Sequence, residues 1–507
     1  MALPFAVCAV VFGVLSYLHP YWLDTLMFRL NLHEYCGDGI TFGGFLSYFA
    51  NQAAWDNARI FNVLSPVIMD YFPKWLDAGM TGGMTALLFW SIGRLIGLGR
   101  GDGALWWLLL AVFYFIPPWT NNIYVPVFSL NYIYPSACGM AAVYLSLRGG
   151  KWSSAGAIAL GVLAGWGHEG IGGIMLAGAI PMMFIAASFR KYGVLYLTSI
   201  AATGVAVVAY FNTFLVQRME YEGDSAWFQT DLRGWVVYNI FTLGVLAIVL
   251  VCLSVRSWRV RFVEYVKANP LVVYFLCIAI AGVILNAIIR RSLRTTIWPQ
   301  RCSMVALWIM LLPLLRQYLK YLRPMALIGA LAVVVAAIFE CYVDSQYRQS
   351  YDDALRQLEQ PGSRGAFVRF VHPIEYPKFV SRFAPRYLFV DFYQHKLLNL
   401  MYGGHGAVVP RELKDVSTSI RVDSICCTPE GIGYYRPSAF RPIYSFVETT
   451  VVTHGGATVV GESCVEAYTA PDGTQMAWIQ PIHIHPDSIA SISADVNTIY
   501  AQSDAQQ

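Results

Sequence analysis

Apolar runs close to the ~20 residues that a helix needs to cross a bilayer recur along this chain from its N-terminus to about residue 343. A run of that kind must satisfy its own backbone hydrogen bonds in lipid, which leaves few folds open besides a helical bundle. The runs lie at 3–19, 78–98, 104–118, 132–147, 153–167, 171–189, 193–215, 235–255, 270–289, 302–317 and 324–343, eleven in all. Composition agrees, since 57% of the 507 residues are hydrophobic and 13% are charged, against roughly a quarter charged in soluble domains. After residue 343 the texture turns to mixed polar sequence. The expectation is a polytopic α-helical membrane domain over 1–343, with about eleven transmembrane helices, followed by a soluble α+β domain over 344–507. A net charge of +4 makes no case for a nucleic-acid partner.

The first run does not read as a cleavable signal. No basic residue precedes it, and Tyr17, His19 and Pro20 stand where small residues would be needed. The stretch GWGHEG (165–170) after the fifth run reads as a tight turn or as the tip of a re-entrant pair. Either way the chain returns to the same side.

Lysine and arginine in the connections set the orientation. Arg94, Arg100, Arg148, Lys151, Arg190, Lys191, Arg256, Arg259, Arg261, Lys267, Arg316, Lys320 and Arg323 all fall in alternate connections, which are assigned to the cytoplasm. The opposite set is 20–77, 119–131, 168–170, 216–234 and 290–301. Apart from the last, these carry only Arg29, Arg59, Lys74, Arg218 and Arg233. The N-terminus is then cytoplasmic and the domain over 344–507 extracytoplasmic.

Against that trend, IIRRSLRTTIWPQRC (288–302) places Arg290, Arg291, Arg294 and Arg301 on the outer side. Each would cost roughly 2.5–3.5 kcal/mol at the bilayer centre, so an edge position is expected. Pairing with acids of another loop or with lipid headgroups is one explanation. Recognition of a phosphate group is the other, because guanidinium forks fit phosphate oxygens bidentately. Trp298 and Pro299 suit an interface and a stiff turn.

The first outer connection is long and acidic. It carries Glu34, Asp38, Asp56 and Arg59, with Gly37 and Gly39 flanking Asp38. A carboxylate between two glycines can be approached closely and can accept a proton from a hydroxyl; a solvated or capping role is the plainer reading. Residues 40–54 suit an amphipathic helix on the membrane, with Phe42, Phe45, Leu46 and Phe49 on one side. His168 and Glu169 at the membrane edge fit substrate contact or a structural pair equally. WTNNIYVPVFSLNYIYP (119–135), with Asn131 and Tyr132, suits sugar binding or an interfacial aromatic belt. The alternating histidines of HIHPD (483–487) lack the further spacing of a metal site.

Taken together, GDG, DNAR, NYIYP and GWGHEG, over about residues 20–310, resemble bacterial multi-span proteins related to O-antigen glucosyltransferases, within the GT-C glycosyltransferase superfamily. Asn57-Ala58-Arg59 stands where relatives carry an Asn-Gly-Arg-like triplet, and Asp38 stands alone where many carry an adjacent acidic pair. The resemblance implies an enzyme of the bacterial cytoplasmic membrane. It would move a sugar from a polyprenyl-phosphate carrier to a cell-envelope glycan or lipid acceptor on the outer face, inverting the anomeric carbon. Arg290, Arg291, Arg294 and Arg301, with Arg59, would hold the departing phosphate, and Asp38 or, second, Asp56 would take the acceptor proton. Glu34, Asn57, Asn131, Tyr132, His168, Glu169 and Trp298 complete the candidate substrate-binding set. No cofactor is called for; a divalent metal stays open, though the lone Asp38 weakens a two-carboxylate site. Two rivals remain: a lipid-linked saccharide transporter or flippase, and a glycan polymerase or ligase using a diphosphate-linked donor.

The domain after residue 343 opens on a charged amphipathic segment (344–362) and turns strand-like, with a hairpin over 464–484 around Pro471-Asp472-Gly473. A disulfide from Cys464 to Cys426 or Cys427 is permitted outside the cytoplasm.

Overall fold

A computed structural model describes residues 2–21, 24–37, 39–55, 59–116, 126–185, 189–211, 232–288 and 297–358. Farther along it describes residues 367–370, 407–410, 414–415, 424–428, 431–436, 443–469, 475–478 and 488–501. The chain divides into two compact units, with the boundary between Asp344 and Ser345.

The first unit is helical. Its elements are α1 (Ala2–Leu18), α2 (Asp24–Cys36), α3 (Phe42–Trp55), α4 (Ile60–Tyr71), α5 (Lys74–Ile96) and α6 (Gly103–Phe115), then α7 (Tyr134–Arg148) and α8 (Lys151–Gly167). After them come α9 (Glu169–Gly172), α10 (Met175–Ile185), α11 (Phe189–Phe211), α12 (Leu232–Ser254), α13 (Arg256–Ala268), α14 (Leu271–Ile288), α15 (Ile297–Gln317) and α16 (Leu319–Leu358), whose residues from Ser345 onward belong to the second unit. A five-residue π-helical turn, Ser129–Ile133, leads directly into α7.

Each of the eleven apolar runs is helical over most of its described residues. By length and composition, three helices can cross a membrane: Lys191–Ala209, Ile297–Gln317 and Leu319–Asp353. The count is four if the bent pair Asn239–Ser254 and Arg256–Ala268 is one span. Others, such as Ala2–Leu18 and Gly103–Phe115, are apolar but shorter. At 1.5 Å per residue, a helix of 13–17 residues covers about 20–26 Å, short of the ~30 Å hydrocarbon layer. The chain is therefore a helical protein with three or four helices long and apolar enough to cross a membrane.

Packing in this unit follows the logic of lipid, where small residues let backbones approach. A Cβ on Gly82 would lie 2.3 Å from the Ala9 carbonyl oxygen and 2.9 Å from the Gly13 Cα, so α1 and α5 cross where neither has a side chain. Gly97 ends α5 at φ +96°, and its N–H donates to the Arg94 carbonyl while that of Leu98 donates to Gly93, a left-handed stop that suits glycine. Phe12, Phe89 and Phe113 form the aromatic centre of α1, α5 and α6, with Phe113 edge-on 6.0 Å from Phe12 and 5.4 Å from Phe89.

The long first connection is not an open loop but carries three helices. Asp70 at the end of α4 accepts from Arg29 Nε and lies 3.0 Å from His33 Nε2, tying α4 to α2. The expected amphipathic helix is α3. Of its expected apolar side, Phe42 is 78% exposed and Leu46 exposed, while Phe45 and Phe49 are half-buried.

In the second unit a seven-stranded sheet runs in the order β3-β9-β6-β7-β8-β5-β4. Its strands are β3 (Lys414–Asp415), β4 (Ser424–Thr428), β5 (Gly431–Arg436), β6 (Ile443–Thr453), β7 (Thr458–Thr469), β8 (Gln475–Trp478) and β9 (Ile489–Ala501). A two-stranded parallel pair joins β1 (Phe367–Phe370) to β2 (Ala407–Pro410). The hairpin expected over 464–484 is β7 against β8, with Thr469 opposite Gln475. The sheet corrects the disulfide. Cys464 lies on β7 and Cys426 and Cys427 on β4, with β8 and β5 between them. Three strand spacings are about 14 Å, whereas a disulfide needs Cα atoms within roughly 7 Å. HIHPD lies outside the described residues.

Candidate functional site

Three of the four motifs singled out in the sequence come together in the first unit. DNAR supplies Arg59, extended at φ −67°, ψ 111°, immediately before α4. NYIYP supplies the π-helical turn and the start of α7. GWGHEG supplies the break between α8 and α9, where His168 is extended (φ −162°, ψ 122°) and ends one helix while capping the next.

Glycine makes the meeting possible. A Cβ on Gly167 would fall 2.7 Å from both the Phe61 ring and Pro135 Cγ. Phe61 in turn packs on Tyr134 at 5.6 Å, and Trp166 stands edge-on to Phe49 of α3 at 6.5 Å. Any side chain at 167 would push α4 and α7 away from the break.

Across this junction Arg59 grips Glu169 with both arms of its fork: Nε donates to Oε2 at 3.0 Å, and Nη2 donates to Oε1. The fork geometry matches a carboxylate as it would a phosphate. Burial alone would raise the Glu169 carboxyl, but Arg59 and the neighbouring His168 hold it well below the usual carboxylate range. Glu169 is ionised, and its side chain keeps 30% exposure.

His168 is only 5% exposed. Burial pushes its imidazole down to about 4, with Arg59 adding to the shift and Glu169 opposing it. The ring is therefore neutral near pH 7. Its Nδ1 accepts from the Gly170 N–H at 3.0 Å, which places the ring proton on Nε2. That Nε2 is enclosed and has no hydrogen-bond partner among the described residues. Tyr132 lies against the imidazole, with ring centroids 4.9 Å apart and planes at 48°. Beside Tyr132 on the π-helical turn, Asn131 carries an enclosed Oδ1 that likewise lacks a partner among the described residues. The junction thus offers a buried donor, a buried acceptor and a paired charge, a set able to bind a hydroxylated ligand.

The other candidates separate. Trp298, in the first turn of α15, is buried against Gly139 of α7, where a Cβ would lie 2.9 Å from its ring. Its Nε1 is another enclosed donor without a partner among the described residues. Arg301, one turn on, is 0% exposed, with its guanidinium 4.4 Å over the Phe113 ring. Glu34 lies exposed on α2. Asp38, Asp56, Asn57, Arg290, Arg291 and Arg294 lie outside the described residues. Among the described residues, no three His, Cys, Asp or Glu side chains converge as a metal site would require.

Sequence reasoning passed over the π-helical turn, whose register depends on packing and leaves no periodic trace, though such turns concentrate at functional sites. It also passed over two enclosed pairs. The Tyr114 hydroxyl donates to Glu340 Oε2 at 2.5 Å, and His19 Nδ1 lies 3.4 Å from Asp344 Oδ2. Glu340 had a signal, since an acid inside an apolar run is costly and asks for a reason. Comparison with protein-family models, with curated proteins and with solved structures gives no match to this chain.

Proposed function

We propose that this chain is a GT-C-type glycosyltransferase that moves a sugar from a polyprenyl-phosphate carrier to a hydroxyl of a cell-envelope glycan or lipid. In this reading it spans the bacterial cytoplasmic membrane eleven times, with the N-terminus inside and the unit after residue 344 outside. The observation that carries the reading is the convergence of DNAR, NYIYP and GWGHEG on one junction, built from Arg59, Glu169, His168, Tyr132 and Asn131. Segments far apart in the chain, chosen for their likeness to such enzymes, meet at a point with enclosed polar atoms to offer a ligand.

The acceptor oxygen attacks the anomeric carbon, the bond from that carbon to the phosphate oxygen breaks, and polyprenyl phosphate departs with the bonding pair. The acceptor's proton passes to a carboxylate, with Asp38 first and Asp56 second. Positive charge steadies the leaving phosphate, which needs no proton; Arg290, Arg291 and Arg294, with Arg59, fill that role. His168 Nε2–H and Asn131 Oδ1 suit sugar hydroxyls, and the Tyr132 ring suits a C–H face.

The test is transfer by purified protein given polyprenyl-phosphate sugars and a cell-envelope acceptor, followed as polyprenyl phosphate release. Asp38→Asn keeps the shape and removes the base, so the rate is expected to fall by about 10²–10⁴-fold. Loss in Asp56→Asn with activity retained in Asp38→Asn moves the base to Asp56. Lipid translocation by the wild type with no sugar transfer from any donor overturns the reading. The transporter reading has one observation on its side: the enclosed pairs His19–Asp344 and Tyr114–Glu340 are of the kind that carry protons in transporters.

A further inference from the structure

The basic connection between α12 and α14 was read in the sequence only as a marker of orientation. In the structure it is a helix, α13, set at 115° to the end of α12 across a break at Val255, whose backbone is extended (φ −83°, ψ 115°). If α12 stands along the bilayer normal, from which membrane-crossing helices tilt by about 20° on average, a bend of 115° leaves α13 about 25° from the membrane plane. Its 13 residues then run along the surface for about 20 Å.

The side chains suit that position. At 100° per residue, Tyr265, Trp258, Phe262 and Val266 fall in one sector, with Arg261 at one flank and Arg259 at the other. The sector's C-terminal end is fastened to the bundle, for Tyr265 donates to the Ile309 carbonyl of α15 at 2.5 Å and Val266 is buried. Its N-terminal end is open, with Trp258 53% exposed. Arg256, Arg259, Arg261 and Lys267 are all exposed, and Glu264 is the helix's one acid. Indole and guanidinium side by side match the boundary between acyl chains and headgroups.

We propose that α13 lies in the membrane surface and binds the headgroups of anionic lipids through Arg256, Arg259, Arg261 and Lys267, with Trp258 seated among the acyl chains. This holds whichever leaflet α13 faces and does not depend on the glycosyltransferase reading. It gives the protein a preference for acidic lipid at one fixed place on its perimeter.

The experiment uses the full chain in nanodiscs of phosphatidylcholine with one-third phosphatidylglycerol. A fluorophore is attached through Ser257→Cys in a background without other reactive cysteines. Bromine is placed near the headgroup of either lipid, and quenching is compared. Brominated phosphatidylglycerol is expected to quench at least about twofold more than brominated phosphatidylcholine, a modest share of the roughly fivefold per cation that anionic surfaces give. In the wild type, 1 M salt should erase the difference, since the Debye length falls to about 3 Å. This arm needs no charge variant. The variant Arg256→Gln, Arg259→Gln, Arg261→Gln, Lys267→Gln should erase it at low salt. Equal quenching by both lipids at low salt overturns the proposal. So does stronger quenching by bromine at the chain ends, which would place α13 inside the bilayer as part of a re-entrant turn.

Discussion

Arg59 and Arg301 are the two candidate phosphate-binding arginines whose side chains are described, and their surroundings share little. Arg59 stands at the edge of the helical unit with a carboxylate on its fork, and Glu169 opposite is still partly open to solvent. Arg301 is enclosed, its guanidinium lying over an aromatic face. Beside that ring Tyr114 hydrogen-bonds Glu340, and one turn farther along α16 Asp344 faces His19. The first environment can trade its counter-charge for a ligand phosphate with little rearrangement, because both are bidentate acceptors. The second lays its cation on an aromatic ring and encloses it by helix packing, so a ligand would have to displace protein. Similar chemistry at the two sites thus carries different expectations: exchange at the edge, architecture in the interior.

The sharpest way to break this contrast is to replace Arg301. Truncation to Ala should cost about 2–5 kcal/mol, the range for large enclosed side chains, seen as a fall in the melting temperature of the purified protein. Arg301→Met keeps most of the volume and drops the charge, and should recover much of that loss. If transfer then survives, Arg301 belongs to the architecture alone. If the melting temperature recovers and donor turnover does not, the enclosed arginine reaches the donor after all, and the contrast with Arg59 fails.

Acidification probes the edge cluster. The His168 imidazole sits at about 4 in the folded protein, against about 6.5 unfolded. A histidine lowered on folding binds its proton more readily when unfolded, so its contribution is complete above pH 6.5 and is lost as pH falls from there towards 4. The loss amounts to at most about 3 kcal/mol. Stability measured across pH 4–7 should therefore decline more steeply in the wild type than in His168→Gln. Parallel curves would mean that the ring is not held neutral by its enclosure.

How far these clusters could be read from sequence depends on range. Helical periodicity and apolar length are local, and so each run was found as a helix within a few residues, as was the hairpin of β7 and β8. Arg59, His168 and Glu169 were picked out by residue type, but that Arg59 closes on Glu169, 110 residues away, is a fact of packing. The missed pair of Tyr114 and Glu340 spans 226 residues. The disulfide permitted between Cys464 and either Cys426 or Cys427 failed for the same reason: residue type gave a pattern, while strand order decided the distance. Arg301 shows the limit most plainly. Its place at the start of an apolar run pointed to the membrane edge, yet α15 turns that face inward and encloses it.

The smallest expected effect tests whether the edge pair is free to exchange. Glu169→Gln keeps the shape and one acceptor for Arg59 but removes the counter-charge. A charge-assisted hydrogen bond contributes about 1.5–3 kcal/mol, and partial exposure lowers that, so a loss of about 1–2 kcal/mol is expected. A double-mutant cycle with Arg59→Met should return a coupling of similar size, and strict additivity would mean that the contact contributes nothing. The variant also carries a functional readout whose sign decides between two roles. Arg59 retains its charge in Glu169→Gln and loses the Glu169 carboxylate from its fork. If a donor phosphate competes with Glu169 for the same fork, the variant should bind donor more tightly, with a lower KM, while being the less stable protein. A higher KM would instead assign the Glu169 carboxylate to the substrate, most simply to sugar hydroxyls, and leave Arg59 as the residue that positions it.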